Sequence, residues 1–433
     1  MGTGLGVLLK PIVPISIILI SVFLIIRAMA GKPQWCMFMI IFLMPLRNVV
    51  DKLQQYPLGK DLVDIFFLGM LIGLVTQAMA KKDKILERSP LNAISVILIV
   101  YTFVSLLQGS MYLSEYSLFS PSDPRVQIWK NYCMLPLLYL ITLNTIKDRK
   151  WVWYAVAMMC LTILFMDYYM VRQLSWFSSI ESRKKVTGTF VYLGPNEVAA
   201  FYNQYTIILI SLFFAMKRNW KKLALAGIIA MNLYSVLFLF SRAAYAGLAI
   251  GMFFLFAARK KILLVPLVVL IVMWQAFLPE TVKERIEMTT DSSGTLDKSS
   301  ERRILVWQDS LDLFYESPIV GVGFGVFRYM GLALGDTHNI YLKILAEQGL
   351  IGITIFLILL FIFFIQGIKL FTGGDDPMSK ALGLGFAITI IVLIVNNMFG
   401  DRWTYMELSA YLWIFAALVT RLNILSDQAR VKK

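Results

Sequence analysis

The sequence predicts an all-α polytopic membrane protein with about 12 or 13 transmembrane helices and one large external loop that contains amphipathic helices. Two observations predict this fold class. The chain is 58% hydrophobic, whereas a soluble domain is about 45–50% apolar. The apolar residues are also gathered into repeated runs, and a helix of about 20 such residues crosses the hydrocarbon of a bilayer.

The apolar runs define the predicted spans. In chain order they cover residues 12–26, 34–46, 62–80, 91–107, 128–146, 151–171, 197–216, 223–240, 242–258, 262–278, 350–367, 381–399 and 402–420. The run 34–46 is short and contains Pro45, so it is also compatible with a re-entrant segment.

Basic residues in the short loops predict the orientation of the helices. The clusters occupy every second connection: KKDKILER (81–88), KDRK (147–150), KRNWKK (217–222), RKK (259–261) and the C-terminal tail. Because loops rich in Lys and Arg stay in the cytoplasm, we expect a cytoplasmic C-terminus. Segment 279–349 is then external, which for a bacterial inner (cytoplasmic) membrane means periplasmic. The basic residues lie largely in these short loops, where they set the orientation of the helices, and they explain the net charge of +14. Membrane lipid is therefore an expected partner, and no nucleic-acid partner is predicted.

This pattern divides the chain into four regions. They are N-terminal transmembrane helices (1–171), transmembrane helices with an external basic loop (172–278), a large external loop with a candidate catalytic segment (279–349), and C-terminal helices with a cytoplasmic tail (350–433). No cleavable signal peptide is predicted, because the first apolar run leads into Arg27 and Lys32 without a small-residue cleavage site. Long ordered loops often carry function, which directs attention to 279–349.

The first motif in the external loop is ERRILVWQDSLDLFYESP (301–318), which predicts an amphipathic helix. Its apolar positions recur at helical spacing and are Ile304, Trp307, Leu311 and Phe314. Such a helix can lie in the membrane interface. Helical geometry puts Arg303 beside the apolar face, towards lipid phosphates, and Arg302 on the polar side near Asp309, as a candidate ion pair.

The next motif, GVGFGVF (321–327), has glycines at alternate positions, including Gly321 and Gly323. It does not join a strand to a helix, so a dinucleotide-binding loop is not indicated. The pattern favours a tight turn at which two backbones come close.

The segment GDTHNIYLKILAEQG (335–349) contains the only histidine of the chain. Thr337 is the predicted N-cap of a helix that ends at Gly349, where the small residue allows close packing. His338 then lies in the first turn, where a helix N-terminus favours a neutral imidazole that can accept a proton. Two interpretations stay open: a general base, and a capped interfacial histidine without chemistry.

Two further external sites carry cations. Arg242 stands at the head of the span that starts in SRAAYAGLAIG (241–251), in which Gly247 belongs to a stripe of small residues suited to tight helix packing. Arg183 and Lys185 belong to RKKVTGTF (183–190). A phosphate ligand explains cations on this side, while lipid headgroups and a snorkelling arginine are the alternatives.

No metal site and no cofactor are predicted. One histidine and three cysteines without ligand spacing do not indicate zinc. The chain has no P-loop, so ATP hydrolysis is not expected.

Four motifs, in this order, resemble the O-antigen ligase and O-antigen polymerase superfamily of bacterial membrane glycosyltransferases. They are SRAAYAG, SERRILVW, SPIVGVGFGVF and THNIYLKILAEQGLIG. The matching core runs from about residue 183 to 367, and the number of predicted spans fits the whole chain.

The resemblance implies a reaction at the periplasmic face. A glycan arrives on undecaprenyl diphosphate, an acceptor hydroxyl attacks the anomeric carbon with inversion, and the lipid diphosphate leaves without help from a metal or nucleotide. By the same resemblance, His338 is the base, and Arg242 and Arg303 bind the diphosphate, with Arg302 as the alternative to Arg303. Relatives often have Arg before the Thr-Gly-Thr-Phe turn. Here that position is Lys185, with Arg183 two residues earlier, so either is a candidate.

Ligase and polymerase differ in the acceptor, which is lipid A-core for a ligase and another lipid-linked repeat unit for a polymerase. The His-x10-Gly spacing from His338 to Gly349 favours an O-antigen ligase of lipopolysaccharide biosynthesis. The Arg-x10-Gly spacing from Arg183 to Gly194 keeps an O-antigen or exopolysaccharide polymerase as the alternative. A lipid-linked sugar transporter or flippase is a more distant alternative, since we find no clear half-to-half repeat.

Overall fold

The computed structural model describes residues 4–56, 59, 62–82, 85–114, 123–174, 182–287, 298–330 and 336–431. Within these ranges the chain forms helices and no β-strand, so the all-α prediction is confirmed. The α-helices are α1 (Gly4–Met29), α2 (Gln34–Leu43), α3 (Arg47–Leu53), α4 (Leu62–Lys81), α5 (Pro90–Leu113), α6 (Pro124–Thr145), α7 (Arg149–Leu174), α8 (Pro195–Ala215), α9 (Trp220–Phe238), α10 (Arg242–Arg259), α11 (Leu264–Val272), α12 (Trp274–Phe277), α13 (Glu280–Glu287), α14 (Lys298–Glu316), α15 (Ile340–Gly373), α16 (Pro377–Asn397) and α17 (Met406–Val431).

Nine helices in the described part of the chain are long and apolar enough to cross a membrane: α4, α5, α7, α8, α9, α10, α15, α16 and α17. Shorter apolar helices lie at Pro14–Met29, Gln34–Leu43 and Lys261–Val272. The predicted span 128–146 corresponds to α6, a helix of 22 residues that packs against α17. The chain is therefore a multi-pass membrane protein. Twelve of the 13 predicted runs each correspond to one helix, whereas the predicted span 262–278 is divided at Met273 into α11 and α12.

Ion pairs between helix termini define two ends of the bundle. The histidine end holds His338 and the pairs Arg402–Glu197, Lys343–Asp401 and Lys130–Asp64. The basic-loop end holds the pairs Arg149–Asp375, Arg149–Asp376 and Lys369–Asp427. Helices run alternately between the two ends, in agreement with the alternation predicted from the basic loops.

The interior of the bundle is formed by α8, α16 and α17. Their apolar windows are 83%, 72% and 89% buried, whereas those of α9 and α10 are 28% buried. Tyr205 of α8 packs its ring on Tyr411 and Phe415 of α17. All three of these enclosed helices have an end beside the buried ion pairs of the histidine end.

Helix α10 reaches this interior through its small residues. A Cβ at Gly247 would lie 2.8 Å from the Asn203 side chain and 3.0 Å from that of Asn396. These two asparagines hydrogen-bond to each other across α8 and α16, and Asn203 also donates to the Ala244 carbonyl. The position of α10, which Arg242 begins, is therefore fixed by close contact and by polar bonds.

Helix α2 connects the two ends although it is only 10 residues long. Near its start, Trp35 packs against Trp151, which lies at the basic-loop end (centroids 6.3 Å apart). Beyond its end, the Pro45 carbonyl accepts a hydrogen bond from Thr189 at the histidine end (2.7 Å). The segment 34–46 therefore passes through the bundle and does not turn back.

Candidate active site

His338 lies in the turn before α15, in a left-handed backbone conformation (φ 49°). The helix begins directly after Asn339, whose side-chain oxygen accepts from the backbone N–H groups of Tyr341 and Leu342. The expectation that Thr337 is the N-cap and that His338 lies in the first turn is wrong. The left-handed turn moves the cap two residues along the chain, so Asn339 occupies the first-turn N–H groups.

The imidazole is partly open to its surroundings and has one acidic neighbour. The His338 side chain is 38% exposed, and its Nδ1 lies 4.0 Å from a carboxylate oxygen of Asp336. The other carboxylate oxygen of Asp336 is buried without a hydrogen-bond partner in the described part of the chain. The indole N–H of Trp307 donates to the Thr337 carbonyl (3.1 Å) and ties this turn to α14.

A break in α15 allows the part of this helix that follows His338 to pack against the glycine-rich turn. Gly349 interrupts the helix with φ 62° and ψ −161°. The carbonyls of Ala346 and Glu347 accept from backbone N–H groups of the glycine-rich turn 321–325. A Cβ at Gly349 would lie 2.4 Å from the Ile319 carbonyl. Only glycine fits both this space and this conformation.

The glycine-rich turn brings three segments into backbone contact. Gly321, Gly323 and Gly325 all have positive φ (76°, 122° and 77°). A Cβ at Gly323 would lie 2.1 Å from the Cα of Gly109 on α5, and one at Gly321 would lie 2.3 Å from the backbone N of Gln348. The start of α15, and with it the position of His338, is therefore set by main-chain contacts.

Helix α14 forms as predicted, and the face that packs against the protein is separate from the apolar face of the sequence pattern. Its buried positions are Val306, Ser310 and Leu313, and the two apolar ones cluster with Val322, Val326 and Ala346. Of the predicted apolar face, Ile304 is 41% and Leu311 is 36% exposed. The polar Ser310 is tolerated because it donates to the Val306 carbonyl.

Three arginines meet around the start of α10. Arg183 is buried and donates to the side-chain oxygen of Asn196 (2.7 Å). Arg285 of α13 donates to the carbonyl of Phe240, two residues before Arg242. The charges of Arg285 and Arg242 both act on Arg183. We call Arg183, Arg242 and Arg285 the arginine cluster.

The three guanidinium groups of the arginine cluster act on one another electrostatically. Burial, together with the charges of Arg285 and Arg242, lowers the pKa of Arg183 to about 10, while the carboxylate of Glu197 acts in the opposite direction. The guanidinium stays protonated at neutral pH, so like charges are held close together. A bound anion would relieve this repulsion.

The turn between α16 and α17 joins the arginine cluster to the histidine turn. Arg402 donates to the Glu197 carboxylate in the first turn of α8 (2.7 Å). Its neighbour Asp401 pairs with Lys343 of α15 (2.9 Å), and Lys343 is also within electrostatic reach of Asp336. A series of buried and half-buried charges thus runs between the two parts of the site.

Asp401 is ionised in this setting. Burial favours the neutral carboxyl, but the charge of Lys343 and hydrogen bonds from Thr404 outweigh it and hold the pKa of Asp401 below its ordinary value. Asp401 also accepts from the backbone N–H groups of Trp403 and Thr404. The turn is therefore rigidly bonded on both sides.

The remaining predicted residues lie at different places. Lys185 and Arg302 are exposed, and Arg302 forms no ion pair within the described ranges, so its predicted pairing with Asp309 is wrong. Arg303 is half-buried, one turn of about 5.4 Å before Trp307 on the same helix. No group of three or more His, Cys, Asp or Glu side chains that could hold a metal is found among the residues that the structure describes.

Residues 227–357 match the family model described as O-antigen ligase. This region carries an O-antigen ligase domain. It runs from α9 to the middle of α15 and includes Arg242, Arg303, His338 and Gly349. The resemblance to the superfamily is confirmed, and it supports glycosyltransferase activity of the O-antigen ligase or polymerase type. No curated protein matches the chain.

Sequence reasoning missed four residues of this site: Arg285, Lys343, Asp401 and Arg402. Arg285 follows the last apolar run before the external loop, and Lys343 lies five residues after His338. Asp401 and Arg402 are opposite charges between two apolar runs on the external side. This placement could have identified Asp401 and Arg402 from the sequence, because charges at such a boundary need a partner.

Proposed function

We propose that the chain transfers a glycan from undecaprenyl diphosphate to an acceptor hydroxyl, with inversion and without a metal. The observation that carries this proposal is the arginine cluster, in which buried Arg183 lies within electrostatic reach of the half-buried Arg242 and Arg285 at the same end as His338. A diphosphate supplies the anion that such a cluster binds, since arginine suits bidentate contacts with phosphate oxygens.

The arginine cluster assists departure of the leaving group. As the bond between the anomeric carbon and the diphosphate oxygen breaks, negative charge grows on the diphosphate. Arg183, Arg242 and Arg285 neutralise that charge from fixed positions, which stabilises the transition state more than the ground state. Arg303, on α14, is a further candidate for a phosphate contact.

His338 acts on the other substrate. Its Nδ1 faces Asp336, which leaves Nε2 to take the proton of the acceptor hydroxyl as oxygen bonds to the anomeric carbon. The imidazolium that forms is stabilised by the Asp336 carboxylate. The proton leaves His338 once the glycosylated acceptor has departed.

We further propose that the protein is an O-antigen ligase of the bacterial inner membrane, with the histidine end periplasmic and the C-terminus cytoplasmic. The basic clusters support this orientation. The spacing from His338 to Gly349 supports a ligase with lipid A-core as acceptor. The spacing from Arg183 to Gly194 favours the second candidate, a polymerase that joins lipid-linked repeat units.

The test is incubation of the purified protein with an undecaprenyl-diphosphate-linked oligosaccharide. A single transfer that depends on added lipid A-core supports the ligase, whereas a ladder of repeats without core lipid identifies a polymerase. Absence of any transfer with either acceptor would contradict the proposed chemistry. We expect the rate to be unchanged by EDTA, and a strict requirement for a divalent ion would overturn the metal-independent step.

A further inference from the structure

We propose that a separate cavity at the histidine end binds the acceptor saccharide and selects it. This inference rests on the proposed function and adds the place where the acceptor is recognised. The cavity has a volume of about 820 Å³, within the range of sites that enclose small ligands. It is formed by α3, α4, α6, the turn 324–328, the start of α15 and residues 404–407.

The cavity adjoins the histidine turn and not the arginine cluster. Ile340 and Lys343, in the first turn of α15, line it, and His338 precedes Ile340 by two residues. The arginine cluster connects to Arg402 through Glu197, whereas Asp401, beside Arg402, pairs with Lys343 of the cavity lining. The two substrates thus have separate places, with the donor diphosphate on one side of this turn and the acceptor on the other.

The lining holds both cations and acidic side chains. The cations are Arg47, Lys130, Arg328 and Lys343, and the acidic side chains are Asp64, Glu347 and Glu407. Several are already paired, such as Lys130 with Asp64 at 2.6 Å. The lining therefore suits a ligand rich in hydroxyl groups.

Aromatic rings and free amides give the cavity the chemistry of a sugar site. Trp129, Tyr192 and Tyr405 line it, and the last two rings pack 6.5 Å apart. The side-chain amides of Gln127 and Asn131 also line it and have no hydrogen-bond partner in the described part of the chain. Each amide both donates and accepts, as a sugar hydroxyl does, and flat rings pack against apolar sugar faces.

The lining of the cavity comes partly from the O-antigen ligase domain and partly from the rest of the chain. Lys343, Glu347 and the turn 324–328 lie within residues 227–357. The opposite wall, which includes Gln127, Asn131 and Tyr192, lies outside that region. We assign glycosyl transfer to residues of the O-antigen ligase domain, and we assign the selection among acceptors to the residues of this opposite wall.

The first experiment measures the kinetics of the double variant Gln127→Ala/Asn131→Ala. We expect the KM for the acceptor to rise about tenfold, the effect of losing one or two hydrogen bonds, while the KM for the donor changes less than about twofold. Gln428→Ala, an exposed amide on the last turns of α17, is the matched control and leaves both constants unchanged. An unchanged acceptor KM, or a raised donor KM, in the double variant overturns the proposal.

The second experiment does not depend on turnover. Saturation-transfer NMR records the binding of two free saccharides to the protein in lipid nanodiscs: the core oligosaccharide and the repeat-unit oligosaccharide, each released from the host's glycolipids by mild acid. We expect binding of at least one, lost in Tyr192→Ala and kept in Tyr192→Phe. No binding by the wild type, or displacement by inorganic pyrophosphate, overturns the cavity assignment. Because this readout needs no donor, it also distinguishes failure of the cavity assignment from failure of the proposed glycosyl transfer.

Discussion

Each end of the helical bundle carries an ion pair with the same separation between cation and carboxylate, but the two pairs differ in burial. At the basic-loop end, Lys369 and Asp427 are 48% and 47% exposed and lie 2.7 Å apart. At the histidine end, Arg402 and Glu197 lie at the same distance but are 4% and 18% exposed. Exposed pairs contribute about 0–1 kcal/mol, whereas burying charges costs several kcal/mol. Charges kept in such costly places are frequent at functional sites, and the Arg402–Glu197 pair is consistent with the site that we propose at the histidine end.

Of all the variants that compare the two ends, those at His338 are expected to show the largest loss of transfer rate. Its replacement removes the acceptor of the hydroxyl proton, and general base catalysis contributes about 10²- to 10⁴-fold to a rate. We expect His338→Ala and His338→Asn to lower the transfer rate by that factor in a reconstituted assay. Asn tolerates the left-handed backbone, so its thermal unfolding midpoint serves as the folding control. Turnover near that of the wild type in a folded variant would remove the base role.

The next effect is on stability. Arg402→Ala leaves Glu197 without its partner, and breaking a buried ion pair costs about 3–5 kcal/mol. We expect a clear fall in the unfolding midpoint in detergent, with loss of transfer because Arg402 joins the two parts of the site. A midpoint equal to that of the wild type would show that the pair does not hold the turn.

The arginine cluster is expected to show a smaller effect on rate. Removal of one preorganised positive donor lowers a rate by about 10²-fold, so Arg183→Ala and Arg242→Ala should each weaken use of the donor to that extent. Lys185→Ala is the matched control, because Lys185 is exposed two residues from buried Arg183. Equal losses at Lys185 and Arg183 would contradict the assignment of the buried arginine.

The smallest effect is expected at the basic-loop end. Lys369→Ala breaks an exposed pair, and such pairs contribute about 0–1 kcal/mol. We expect transfer within twofold of the wild type and an unfolding midpoint nearly unchanged. A loss as large as that of Arg402→Ala would mean that burial does not distinguish the two ends.

The sequence predicts the helices and the glycine-rich turn because both depend on local patterns. Apolar runs show where helices cross, and the glycines at 321 and 323 indicate backbone contact before any partner is known. The partners of Arg402 and Asp401 could not be predicted in this way. Glu197 lies 205 residues from Arg402, and only packing of α8 beside α16 brings them together.

Local reasoning also failed where one backbone angle decides the geometry. The left-handed conformation of His338 moves the helix cap from Thr337 to Asn339, and both residues are good caps by type. On α14 the apolar period predicts the helix, but the positions that pack against the glycine-rich turn, such as Val306, do not follow from that period. Tertiary packing makes both choices.

We assign proton transfer to His338 and binding of the donor diphosphate to the arginine cluster. Measuring donor binding and transfer in the same samples tests these two roles most directly. A photoreactive undecaprenyl diphosphate-linked glycan is crosslinked to wild type, His338→Asn and Arg183→Ala/Arg242→Ala, each in lipid nanodiscs. We expect His338→Asn to bind the donor as the wild type does and to transfer it about 10²- to 10⁴-fold more slowly, and the double arginine variant to lose crosslinking. Loss of donor binding in His338→Asn, or full crosslinking in the arginine variant, would contradict the account.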